Sequence, residues 1–75
     1  MDLVEELRLE RSLPSPRAAR LIREMVGVSQ ARMARELGVH RTSVTKWELG
    51  LRRPRGAQAL RYQALLVALQ TEVRA

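Results

Sequence analysis

The stretch Gln30 to Leu49, QARMARELGVHRTSVTKWEL, limits what this chain can become more than any other, because it reads as two short helices around a turn. Gly38 is the punctuation, since glycine takes positive φ at least steric cost. Met33 and Leu37 are four apart and share one face of the first helix; Val44 and Trp47 are three apart and share one face of the second. If the second helix crosses the first steeply after a three-residue turn, the crossing point tolerates only a small side chain, and Ala34 supplies it. The spacing predicts that these two faces meet. It would serve an ordinary helical hairpin equally well, so on its own it argues for a fold and not for a function.

These residues and their neighbours resemble the helix-turn-helix of phage repressor and Cro-type regulators, the XRE, lambda-repressor-like group. The resemblance rests on Ser29-Gln30, Ala34, Gly38-Val39, Arg41-Thr42-Ser43-Val44, Trp47-Glu48, Gly50 and Arg52-Arg53-Pro54, and it covers roughly residues 16 to 60. It implies an all-α fold whose second helix, about 41 to 49, docks in the major groove of DNA while the first crosses the backbone.

Composition narrows the alternatives. Seventy-five residues make one small domain, and with Trp47 and Tyr62 as the only aromatics the core has to be built from Leu, Val, Ile, Met and Ala. No cysteine is present and His40 is the single histidine, so no metal site and no cofactor are implied. The longest apolar run, Ala64 to Leu69, is far short of the ~20 residues a membrane span needs, and a cytoplasmic location is expected. Residues 1 to 10 hold one basic and four acidic side chains, net −3, whereas the rest hold 13 basic and 4 acidic, net +9. A body that basic favours a polyanionic partner. No enzyme is visible, since the acidic residues of the body, Glu24, Glu36, Glu48 and Glu72, are scattered singly.

In chain order, residues 2 to 12 read as an amphipathic helix with Leu3, Leu7 and Val4 on its apolar face and Asp2 at its start. The family does not ordinarily have this segment, which can pack on the domain, bind a second copy or fray. Leu13-Pro14-Ser15-Pro16 breaks it, with Ser15 placed to cap a helix from about Pro16 to Val26 whose stripe is Ala18, Leu21, Ile22 and Met25. Gly27 ends that helix, Ser29 caps the next at Gln30 to Leu37, and His40 stands in the cap position before Arg41 to Leu49. The basic loop Leu51 to Gly56 follows. From Ala57 to about Val73 one long helix is expected, with Leu60, Ala64, Val67 and Ala68 buried and Leu65 and Leu69 beside them. Family members usually place two helices there. The expected organisation is an N-terminal helix over 1–13 and a DNA-binding domain over 14–75, about five helices in all.

The resemblance also nominates site residues. Arg41, Thr42, Thr45 and Lys46 lie on the exposed side of the recognition helix as base contacts, because Arg and Lys donate to guanine O6 and N7 and Thr offers a hydroxyl or touches a thymine methyl. Gln30, Arg52, Arg53 and Arg55 match phosphate-binding positions, with Ser43 and His40 beside them. Leu49 stands where the family often has a polar phosphate contact. Arg23 and Glu48 match positions that commonly form a largely buried ion pair. The reading is a sequence-specific regulator of double-stranded DNA, a small phage or prophage Cro-type repressor acting as a homodimer on a palindromic operator through its N-terminal or its last helix, with no small-molecule ligand. The rival is a protein-interaction module of the same fold, antitoxin-like or an anti-repressor partner.

Overall fold

The computed structural model describes residues 2 to 74, and these form five helices: α1 Leu3–Ser12, α2 Pro16–Met25, α3 Gln30–Leu37, α4 Arg41–Glu48 and α5 Gly56–Arg74. Each of the first four starts where a side chain can take up a free backbone N–H. Asp2 accepts from Glu5 N at 2.8 Å, Ser15 from Ala18 N at 3.1 Å, and Ser29 from Arg32 N at 3.0 Å. His40 fills the same role for α4 through Nδ1, 3.2 Å from Thr42 N, so the ring must leave Nδ1 unprotonated to do it. Gly38 ends α3 at φ +68°, and this left-handed residue lets Val39 N reach back to the Ala34 carbonyl at 3.0 Å. A β-carbon there would strain the turn that aims α4.

The core is where α3, α4 and α5 converge on α2. Met33, Ala34 and Leu37 of α3, Val44 and Trp47 of α4, Tyr62 and Leu66 of α5 and Ala19 of α2 are all buried. Val44 and Leu66 are fully enclosed, and each such side chain contributes about 1.5–3 kcal/mol by leaving water. The Trp47 and Tyr62 rings lie 4.9 Å apart at a 43° tilt, joining α4 to α5. Burial, and behind it the negative charge of Glu48, pushes the Tyr62 hydroxyl up to about 12, so it stays neutral.

Three expected apolar faces are turned away from where the spacing put them. In α5 the buried residues are Ala59, Tyr62 and Leu66, with Leu65 and Leu69 half-buried; Leu60, Ala64, Val67 and Ala68 face solvent. This helix is apolar almost all round, so periodicity had two faces to choose from, and the Trp47–Tyr62 contact decides between them. In α2 Arg23 turns inward beside Ala19, which leaves Leu21 and Met25 exposed and Ile22 and Ala18 half-buried. In α1 only Leu9 is buried, while Leu3, Val4 and Leu7 are exposed. The α1 helix packs on α5, where Gln63 Nε2 donates to the Ser12 hydroxyl. Helices α2 and α4 each end one residue before their expected limits, within the fraying of any helix end.

Candidate nucleic-acid interface

Arg41, Thr42 and Lys46 of α4 are exposed, whereas Ser43 and Thr45 are half-buried. Val44, Trp47 and Glu48 point inward, so α4 shows solvent its first turn and one long edge. The loop after it carries Arg52, Arg53 and Arg55, all exposed. These arginines line one cleft with Ser43, Trp47 and Gln58, which places the loop beside the flank of α4. Gln58 had no sequence signal of its own and comes to this wall only because α5 begins at Gly56.

Three arginines elsewhere are paired. Arg20 bonds to Glu24 and Arg32 to Glu36, each within its own helix, and Arg23 is paired with Glu48. Among the described residues Arg41, Lys46, Arg52, Arg53 and Arg55 have no carboxylate within 4.0 Å. Five such cations therefore lie on α4 and its following loop, while six others without a carboxylate partner among the described residues, Arg8, Arg11, Arg17, Arg35, Arg61 and Arg74, are spread over the remaining helices. A group of exposed cations on one face attracts a polyanion such as a phosphate backbone.

Behind that face lies a hydrogen-bonded network. Arg23 Nε donates to Glu48 Oε2 at 2.7 Å and Arg23 Nη2 to Oε1 at 2.8 Å, a bidentate fork, while Nη1 donates to the Val28 carbonyl at 2.8 Å. Both side chains are buried. Burial opposes the Glu48 charge, but hydrogen bonds from Arg23 and Gln30, with the Arg23 charge, outweigh it and hold the carboxyl below its ordinary range. The bond to Glu48 likewise raises Arg23. Gln30 Nε2 donates to Glu48 Oε1 at 3.0 Å, and Thr45 Oγ1 donates to Gln30 Oε1 at 2.8 Å. Sequence reasoning aimed Gln30 at phosphate and Thr45 outward. Here the Gln30 carbonyl and one amide hydrogen are turned into the protein, which leaves one N–H at the start of α3 for an anion. His40 Nδ1 lies 2.9 Å from the Thr42 hydroxyl, and Leu49 is exposed and apolar.

A helix-turn-helix family model matches residues 20–66, more than half of the chain. The chain belongs to this family, the XRE-type, lambda-repressor-like helix-turn-helix proteins, and is a DNA-binding regulator with α3 and α4 as its helix-turn-helix pair. The comparisons with curated proteins and with solved structures return no match. No helix among the described residues is long and apolar enough to cross a membrane, and no group of three or more His, Cys, Asp or Glu there could hold a metal ion.

Proposed function

We propose that this protein is a sequence-specific repressor of the phage or prophage Cro type, which occupies promoter DNA in the cytoplasm and excludes polymerase. The observation that carries this reading is the placing of exposed Arg52, Arg53 and Arg55 in one cleft against the flank of α4, whose own Arg41 and Lys46 are exposed. Arg41 heads the recognition helix and reads a guanine by O6 and N7; Thr42, Thr45 and Lys46 read beside it. Arg52, Arg53 and Arg55 hold phosphates, assisted by Ser43, His40 and the remaining Gln30 N–H.

One recognition helix spans few base pairs, so the operator is a palindrome bound by a two-fold dimer, with half-sites about one helical turn apart. For the interface this reading favours the solvent-facing stripe Leu60, Ala64 and Val67 of α5, because α1 is held to its own chain by Leu9 and Ser12. The second reading, a protein-interaction module, is favoured by one feature: an acidic α1 that exposes Leu3, Val4 and Leu7. Selecting bound duplexes from a random library separates the two. An enriched palindrome supports the repressor; retention of all duplexes alike, or of none, favours the module.

A further inference from the structure

We propose that Gln30 is a positioning residue for specificity: it fixes the hydroxyl of Thr45 so that this residue shows DNA an acceptor and a methyl group, never a donor. The proposal rests on the sequence-specific reading above. Its premise is the direction of each hydrogen bond in the network. An ionised carboxylate only accepts, so the Gln30 atom 3.0 Å from Glu48 Oε1 has to be the NH2 end of the amide. The Arg23 fork holds that carboxylate from the other side, at 2.7 and 2.8 Å, which pins the orientation. The carbonyl end of Gln30 therefore faces Thr45, and it too can only accept.

The Thr45 hydroxyl has one hydrogen and two neighbours able to receive it, Gln30 Oε1 at 2.8 Å and the Arg41 carbonyl at 3.2 Å. Both belong to the protein, so the hydrogen is spent inward. What remains for the groove is a lone pair and Cγ2. In the major groove the amino bases, adenine through N6 and cytosine through N4, offer donors to that lone pair, guanine offers only acceptors that oppose it, and thymine opposes it through O4 while its methyl can meet Cγ2. Thr45 then favours adenine or cytosine over guanine on the strand it faces. A threonine with a free rotor could serve guanine as well, since its hydrogen can swing to donate.

The test is the base-preference profile of the full chain, read at each position by competition between duplexes differing in a single base pair. In the wild type one position should favour adenine or cytosine over guanine by roughly fivefold, the worth of one neutral hydrogen bond. Thr45→Val removes the acceptor at constant shape and should flatten that position alone; Thr45→Ser should keep it. Gln30→Met keeps the length of the side chain without its amide, leaves the hydroxyl only the longer 3.2 Å bond to the Arg41 carbonyl, from which it can swing out to donate, and should admit guanine at the same position while other positions hold. If Gln30→Met weakens all duplexes equally with the profile unchanged, Gln30 is only a phosphate contact and the proposal fails. It fails as well if Thr45→Val alters no position, an outcome that stands even should Gln30→Met not fold. A wild type with no preference anywhere would overturn the sequence-specific reading itself, whereas preferences that ignore Thr45 and Gln30 overturn only this inference.

Discussion

The α3–α4 pair and the outer helices α1 and α5 solve the same problem with very different redundancy. In the pair each structural decision is made twice: a capping side chain opens each helix, Gly38 turns the chain between them, and the Arg23–Glu48–Gln30–Thr45 network ties both to α2. At the periphery, α1 depends on a single buried side chain, Leu9, and one inter-helix hydrogen bond, and α5 buries one of two apolar faces because Tyr62 meets Trp47. Position is over-determined where α4 must be aimed to within a hydrogen bond. Elsewhere the fold tolerates apolar surface in water.

The largest effect that would break this contrast lies in the buried pair. Arg23→Ala or Glu48→Ala leaves an uncompensated buried charge and should cost ~3–5 kcal/mol, seen as a steep fall in melting temperature. Melting near that of the wild type would mean that the pair is not a clamp. Leu9→Ala should cost less, about 2 kcal/mol, because the site lies at the edge of the fold and can collapse. Hydrogen exchange should then show α1 losing protection while α3 and α4 keep theirs; equal loss in all of them would make α1 part of the same cooperative unit.

A pH titration sharpens the same comparison with a smaller signal. The folded carboxyl of Glu48 titrates below its ordinary range, so its contribution is fully present above the unfolded value, about 4.3, and is lost as pH falls through the lower folded one. Glu48→Gln should therefore melt with less dependence on pH than the wild type as pH falls below about 4.3. Smallest of all, Leu3→Ser and Leu60→Ser should each change monomer stability by no more than ~0.5 kcal/mol, since both side chains are exposed. If Leu60→Ser shifts the sedimentation of the protein and Leu3→Ser does not, the α5 stripe is the dimer face.

The sequence was most readable where single residues carry local geometry. Ser15, Ser29, Gly27, Gly38 and Gly50 mark helix ends by their own backbone and side-chain chemistry, and the interval from Gln30 to Glu48 follows from them. Which face of α1, α2 or α5 is buried was not readable in this way, because it depends on partners distant in sequence. Arg23 turns inward to meet Glu48, 25 residues on, a pair that the family resemblance nominated but helix spacing alone did not, and Tyr62 turns inward to meet Trp47. The Gln30–Thr45 bond has the same character: each residue alone resembles a surface contact, and only the helix crossing shows that they face each other.

The central claim is that α4 reads bases while the loop after it holds phosphates. Titrating Arg41→Ala and Arg53→Ala against cognate and scrambled duplexes at several salt concentrations tests it most directly. Arg53→Ala should weaken both duplexes alike and lower the salt slope by roughly one unit, the signature of one lost phosphate neutralisation. Arg41→Ala should cost ~1–3 kcal/mol on the cognate duplex, much less on the scrambled one, and flatten the preference at one base pair. An equal loss on both duplexes for Arg41→Ala would contradict the account, leaving α4 a backbone clamp with no part in choosing sequence.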